Sequence, residues 1–162
     1  MITMRKSKCL QTLAVLFAAA AEALAQEAQP MARRILVSLP DCKLALLEGD
    51  HIVKIYPVAV GTAATPSPSG SFTVVERVTR PAWYQPGKVV PPGQRNPLGT
   101  RWIGLSIKGY GIHGTSNPRS IGRRASHGCI RLRNVDVEEL FELIAVGDTV
   151  ELRAEHMTGE VR

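Results

Sequence analysis

The sequence is poor in aromatic residues, at 5% of its 162 residues, and contains only three cysteines. Charged residues make up 21% and hydrophobic residues 44%, a balance that fits neither a disordered chain nor a protein with several membrane spans. It has no Cys-x-x-Cys pair, no nucleotide-binding motif and no internal repeat. By contrast, 14 glycines and 11 prolines indicate many turns. These features predict one globular domain of ordinary size.

The first 25 residues have the three parts of a secretory signal peptide. Three basic residues precede a mostly apolar stretch over residues 9–21, and Ala23-Leu24-Ala25 supplies a small-x-small cleavage site. The apolar stretch is shorter than the roughly 20 residues of a membrane-spanning helix, and a buried amphipathic helix is the alternative. We therefore predict export to the periplasm or cell envelope, with no transmembrane segment in the mature chain. The predicted divisions are a signal peptide (1–25), a short tether (26–33), a folded domain (34–153) and a tail (154–162).

The positive charge is concentrated in one short region. The net charge of +6 falls to +4 in the predicted mature chain, because residues 1–25 carry three basic residues and one acidic residue. Four arginines then lie close together in the sequence: Arg119, Arg123, Arg124 and Arg131. A mild positive charge suits an exported protein beside an anionic polymer, although a solvated loop face explains it equally well. No motif indicates a nucleic-acid partner.

Alternating and β-branched segments dominate the predicted domain. Strands are expected at residues 35–39, 44–48, 52–60, 72–79, 102–107, 110–113 and 149–152. One amphipathic helix is expected in the C-terminal half, capped by Asn134 and ended by Gly147. Its apolar face consists of Val137, Leu140, Phe141 and Ile144. The fold class is therefore mostly β with one α-helix.

Residues 81–99 interrupt this pattern with five prolines and three glycines, so no regular element is expected there. Long loops inside compact domains are usually functional or disordered. Two adjacent aromatics, Trp83 and Tyr84, favour a functional loop over a disordered one. We interpret residues 81–99, called the lid segment below, as a lid that contacts substrate.

A histidine and cysteine pattern between His113 and Arg131 indicates nucleophilic chemistry. A catalytic cysteine needs a base or cation that favours its thiolate, and N–H groups that bind the developing oxyanion. His113 ends a predicted strand, and Ser126-His127-Gly128-Cys129 supplies the thiol, a flexible glycine and three N–H donors. Two alternatives stay open: a zinc site of His113, His127 and Cys129, and a buried structural cysteine. Cys42 is expected to be an incidental strand residue.

These residues resemble the active-site signature of the L,D-transpeptidase catalytic domain, the YkuD-type family. The resemblance rests on Ile112-His113-Gly114-Thr115, Ser120-Ile121-Gly122 and Ser126-His127-Gly128-Cys129-Ile130-Arg131. It extends over most of residues 34–153, including Asn96-Pro97-Leu98-Gly99 before a predicted strand. It implies a mostly β, sandwich-like fold with a lid, and an activity on peptidoglycan. It also implies sensitivity to carbapenems.

The resemblance implies a role for each residue of the signature. Cys129 is the expected nucleophile, His113 the general base, and the Gly114 carbonyl the group that orients the imidazole. His127 and Gly128 are expected to form the oxyanion hole. The residues expected to bind or support the substrate are Ser126, a hydrogen-bonding residue, Arg131, which faces a substrate carboxylate, and Trp83 and Tyr84 in the lid.

The implied reaction is acyl transfer from the bond between the diamino acid at position 3 of a stem tetrapeptide and D-Ala at position 4. The acceptor is an amine of another stem, which gives a 3→3 cross-link, or of an envelope lipoprotein. An L,D-carboxypeptidase that uses water, and a wall-binding module whose cysteine is not catalytic, are the alternatives. No cofactor or metal is expected, and activity at pH 5–8 is expected to follow formation of a thiolate–imidazolium pair.

Overall fold

The computed structural model describes residues 33–157. The predicted signal peptide, nearly all of the tether and the last five residues of the tail lie outside the described residues. Within residues 33–157, no helix is both long and apolar enough to cross a membrane.

Twelve strands, one 3₁₀ turn (Pro118–Ser120) and one α-helix occur in the described part of the chain. The helix, α1, comprises Asn134–Leu143. The strands are β1 (Arg33–Ser38), β2 (Lys43–Glu48), β3 (His51–Pro57), β4 (Val60–Gly61), β5 (Gly70–Thr79), β6 (Trp83–Gln85), β7 (Lys88–Val90), β8 (Arg101–Leu105), β9 (Gly111–His113), β10 (Arg124–Ser126), β11 (Ile130–Arg131) and β12 (Thr149–Arg153).

Eight of these strands form one curled sheet in the order β11-β9-β8-β5-β12-β1-β2-β3. The ten-residue strand β5 belongs to both halves of it. Residues 70–73 pair with β12, whereas the part from Val74 onward pairs with β8 after a register shift. Such an irregularity bends a strand, which lets the two halves turn toward each other. The sequence prediction of a mostly β fold with one helix is thus confirmed.

The helix α1 lies against the core through the face that the sequence predicted. Val137, Leu140, Phe141 and Ile144 are all buried in the main hydrophobic cluster. This cluster also contains Ile103 of β8, Ile112 of β9 and Ile130 of β11. The same core therefore packs beneath the three strands that carry the site described below.

Both ends of α1 differ from the prediction. Arg133, not Asn134, occupies the N-cap position, and Asn134 is the first helical residue. The helix ends at Leu143, four residues before Gly147. At this end Arg33 donates to the carbonyl of Leu143 and Arg77 to the carbonyl of Phe141. Cations at the C-terminus stabilise a helix by binding carbonyls that have no partner within it.

Three further predictions need correction. The segment predicted as one strand over residues 52–60 is divided into β3 and β4. Cys42 lies in the turn between β1 and β2, where it has a φ of 51°, and not in a strand. The lid segment contains a regular element after all, the hairpin of β6 and β7, in which Trp83 pairs with Val90 and Tyr84 with Val89. Gly87 has a φ of 73°, which allows the tight turn that joins β6 to β7. The prolines of the lid segment had predicted that no regular element would form there.

We expect Arg77→Met to lower the free energy of unfolding by about 1–2 kcal/mol, because it removes a charged donor from the helix terminus. The guanidinium also lies 4.1 Å from the centre of the Phe141 ring, so its stacking is lost as well. Urea denaturation measures the change. Arg119→Met is the matched control, since Arg119 is exposed, and equal effects of the two variants would contradict this capping role.

Candidate active site

The parallel pairing of β9 with β11 places the signature residues on one face of the sheet. Ile112 lies opposite Ile130, and His113 lies opposite Arg131. Residues that lie opposite each other on paired strands project to the same side, so His113 and Arg131 share a face, and Cys129 directly precedes β11. On the other edge of β9, Trp102 of β8 lies opposite His113. The pairing thus sets the strand that ends at the predicted base beside the strand that directly follows the predicted nucleophile.

His113 is held in one orientation by a hydrogen bond and a ring contact. It is 4% exposed, and its Nδ1 donates to the carbonyl of Gly114 at 2.6 Å. The Trp102 ring stacks on the imidazole with centroids 5.7 Å apart and an interplanar angle of 28°. A proton on Nδ1 leaves the lone pair on Nε2, which is the tautomer that a general base requires. The sequence analysis did not single out Trp102, whose position depends on the β8–β9 register.

Burial disfavours the charged forms of both reactive groups. It lowers the pKa of His113 from 6.5 to about 4, and the charge of Arg131 lowers it further, while the carbonyls of Gly114 and Leu98 oppose the change. Burial also raises the pKa of the Cys129 thiol, against the Gly111 N–H and the charge of Arg131, which lower it. Both shifts favour a neutral thiol and a neutral imidazole at neutral pH, whereas the sequence predicted a thiolate–imidazolium pair.

The turn that carries Cys129 is organised by Ser126. Its hydroxyl donates to the carbonyl of Cys129 at 2.6 Å and accepts from the N–H of Gly128 at 3.0 Å. Ser126 is 1% exposed, so this geometry favours a supporting role over contact with substrate. Gly128 has a φ of +115°, and a Cβ there would lie 2.7 Å from Cε1 of Tyr110. Only glycine fits this position.

The hydrogen bond to Ser126 also changes the expected oxyanion hole. The Gly128 N–H is already donated, so an oxyanion would have to displace Ser126 from it. Among residues 33–157, no acceptor is recorded for the N–H groups of His127 and Cys129. These two are the better candidates. Cys129 is half-buried, and its thiol points toward the carbonyl of Gly109 at 3.7 Å.

Arg131 lies beside both reactive groups and is itself partly buried. Its Nη1 donates to the carbonyl of Ala125 at 3.1 Å, and desolvation lowers its pKa. The side chain of His127, by contrast, is exposed. Within the described range, no three His, Cys, Asp or Glu side chains are grouped as metal ligands. The zinc alternative, which needed His113, His127 and Cys129 around one ion, has no geometric support.

The lid segment is anchored by a residue that the sequence analysis did not single out. Asn96 is 1% exposed, and its Nδ2 contacts the carbonyls of Pro81, Val90 and Pro91 at 2.8–3.2 Å. Its Oδ1 accepts from the N–H of Leu98. Trp83 and Tyr84 lie on β6, where Tyr84 is 73% exposed. Asn-Pro-Leu-Gly was visible as a motif, but its anchoring role was not.

We expect the stability of the protein to fall as the pH is lowered from 6.5 toward 4. Over this range the unfolded state binds a proton at His113 that the folded state excludes, which favours unfolding. The loss should be on the order of 2 kcal/mol by about pH 4.5. Urea denaturation at several pH values measures the free energy of unfolding, and in His113→Gln its decrease between pH 6.5 and 4 should be smaller by this amount. The exposed His127→Gln is the matched control and should retain it; equal pH dependence in wild type and His113→Gln would contradict the assignment.

Comparison with known proteins agrees with this geometry. The family model for the YkuD L,D-transpeptidase catalytic domain matches residues 32–152. The chain is 43% identical over 119 residues to a Bacillus licheniformis protein provisionally named L,D-transpeptidase YkuD, covering 74% of this chain and 64% of that protein. It is 35% identical over 119 residues to an Escherichia coli protein named as a probable L,D-transpeptidase, YbiS, covering 64% of this chain and 39% of that one. The chain thus spans less than two thirds of the length of these two curated relatives.

Solved structures share the fold at low sequence identity. An L,D-transpeptidase from Mycobacterium smegmatis has a TM-score of 0.64 at 18% identity, over 75% of this chain and 58% of that one. The LD transpeptidase LdtMt1 in complex with imipenem has a TM-score of 0.63 at 20% identity, over 75% and 59%. With the family model matching most of the described residues and the signature residues assembled on one face, this chain belongs to the L,D-transpeptidase catalytic domain family.

Proposed function

We propose that this chain is an exported peptidoglycan L,D-transpeptidase in which Cys129 is the nucleophile and His113 the general base. The observation that carries the proposal is the parallel pairing of β9 with β11: the half-buried Cys129 directly precedes β11, and β9 ends at His113, whose tautomer is set by the Gly114 carbonyl. Members of the family are named L,D-transpeptidases, and one was solved with imipenem. We infer likewise that a carbapenem acylates Cys129.

In the first half of the proposed reaction, Nε2 of His113 accepts the thiol proton as Sγ attacks the carbonyl carbon of the diamino acid at position 3. The oxyanion that forms is bound by the N–H groups of Cys129 and His127. The imidazolium then returns the proton to the nitrogen of D-Ala as the carbon–nitrogen bond breaks. D-Ala leaves, and the tripeptide acyl group stays on Cys129 as a thioester.

In the second half, an amine attacks the thioester carbonyl and His113 accepts a proton from it. Collapse of this intermediate breaks the carbon–sulfur bond and restores the thiol, while the new amide bond joins the two peptides. The acceptor is an amine of a neighbouring stem peptide or of an envelope lipoprotein. A neutral resting thiol suits this chemistry, because the thiolate arises only as the proton moves to His113 during attack. Arg131 supplies a positive charge that favours both the thiolate and a substrate carboxylate.

We expect the purified domain to convert a disaccharide-tetrapeptide into a 3→3 cross-linked dimer with release of D-Ala, as measured by mass spectrometry. Cys129→Ala should reduce turnover to background, because it removes the proposed nucleophile. Cys42→Ala is the matched control: Cys42 is also a free cysteine but lies in the turn between β1 and β2, so its removal should leave the rate unchanged.

Three results would overturn this proposal in different ways. Release of tripeptide without dimer, with every amine acceptor offered, would show a carboxypeptidase. Turnover that survives in Cys129→Ala would exclude the thiol as the nucleophile. Binding of the muropeptide without any conversion would indicate a wall-binding module.

The exposed hairpin of the lid segment should contribute to substrate binding and not to the chemical step. We expect Tyr84→Ala to raise KM for the tetrapeptide severalfold, because an exposed aromatic ring supplies contact area of the kind that anchors ligands. The rate at which iodoacetamide alkylates Cys129 should stay unchanged. Val53→Ala is the control, because it truncates an exposed apolar residue of β3, at the opposite end of the strand order from β11. An alkylation rate that falls in Tyr84→Ala but not in Val53→Ala would contradict this division of roles.

A further inference from the structure

One amide oxygen joins the two backbone segments that surround His113. Oδ1 of Asn134, at the start of α1, accepts from the N–H of Thr115 at 3.0 Å and from the N–H of Thr100 at 3.3 Å. Two N–H groups facing the same atom identify it as the oxygen of the carboxamide. The sequence suggested that this side chain caps the helix, but it is used for this junction instead.

The bond to Thr115 acts on the same peptide unit that orients the imidazole. The carbonyl of Gly114 accepts from Nδ1 of His113, and the N–H of that peptide, which belongs to Thr115, donates to Asn134. In a trans peptide the C=O and N–H point in opposite directions, and the chain has no cis peptide bond among its described residues. His113 and Asn134 therefore hold the two ends of one peptide plane.

The bond to Thr100 acts on the second carbonyl near the imidazole. The Leu98 carbonyl contacts His113, and Gly99 separates it from Thr100. A Cβ at Gly99 would lie 2.1 Å from Oδ1 of Asn134, and a Cβ at Gly114 would lie 2.3 Å from it. Both glycines are required for the amide oxygen to approach this closely. Asn134 thus holds the peptide plane of the Gly114 carbonyl directly and the segment that follows the Leu98 carbonyl through Thr100.

We propose that Asn134 is a positioning residue for His113, which sets the imidazole tautomer by holding the Gly114–Thr115 peptide plane and the Leu98–Thr100 segment. The assignment rests on the proposed role of His113 as the general base. Hydrogen bonds in a chain polarise one another, so an acceptor on the Thr115 N–H also makes the Gly114 carbonyl a better acceptor for Nδ1–H. Removing that acceptor weakens the tautomer preference and frees the peptide to rotate.

The test compares Asn134→Leu, which keeps the size but loses the acceptor, with Asn134→Asp, which keeps the acceptor. The first readout is the tautomer of His113, from the ring ¹⁵N shifts of histidine-labelled protein. We expect one Nδ1–H form in wild type and Asn134→Asp, and a mixture in Asn134→Leu. The second is turnover of the tetrapeptide, where kcat should fall roughly tenfold to a hundredfold in Asn134→Leu with little change in KM, as for other supporting residues around a histidine.

Asp136→Asn is the matched control for a loss of stability alone. Asp136 pairs with Arg133 in the same turn of α1 and has no contact with the Gly114–Thr115 peptide. This variant should lower the melting temperature without changing the tautomer or kcat. If Asn134→Leu does not fold, Asn134→Val replaces it, because valine also lacks the acceptor and is smaller than leucine.

The proposal would be overturned if Asn134→Leu showed a single His113 tautomer and a wild-type kcat per folded molecule. A merely structural role of Asn134 predicts that result. Failure of the proposed function is a separate outcome: the wild-type protein would then not convert the tetrapeptide. The ring ¹⁵N shifts need no substrate, so they still show whether Asn134 sets the tautomer.

Discussion

The parallel pairing of β9 with β11 is the constraint on which the rest of the site depends. It involves only two residue pairs, but it sets which side chains share a face and how far apart they lie. A shift of one residue would turn Arg131 to the face opposite that of His113, because side chains alternate along a strand. The short pairing is stabilised from outside by the β8–β9 ladder, by the bond between Ala59 and Arg131 and by the buried side chains of Ile112 and Ile130.

The packing that positions these side chains also buries them. A buried imidazole resists protonation and a buried thiol resists ionisation, so burial favours the uncharged form of each group. The polar groups that offset this burial are mainly backbone carbonyls and N–H groups. Their positions depend on the fold and not on the identity of the side chain. This explains why glycines are concentrated around the site: Gly99, Gly114 and Gly128 each allow the backbone to approach another group closely.

The sequence predicted the elements more reliably than the contacts between them. The apolar face of α1 follows from helical spacing, and most strands follow from alternation, because both patterns are local. The pairing of His113 with Cys129 came from a motif. The roles of Trp102, Asn96 and Asn134 carried no such local signal, since each depends on a contact with residues distant in the sequence, up to 34 positions away for Asn134. Asn134 was misassigned for a physical reason: asparagine before a helix usually caps it, and only the tertiary structure shows that other N–H groups compete for its oxygen.

The position of β12 in the sheet has a consequence for how the domain is formed. Among the described strands it is the last in the chain, yet it lies between β5 and β1 and joins the two halves of the sheet. Its parallel partner β1 is the first of those strands, so the sheet closes only when segments more than a hundred residues apart meet. Such non-local pairing slows folding. A chain that is synthesised from its N-terminus therefore keeps the segment around Cys129 in an incomplete sheet until the final strand is available.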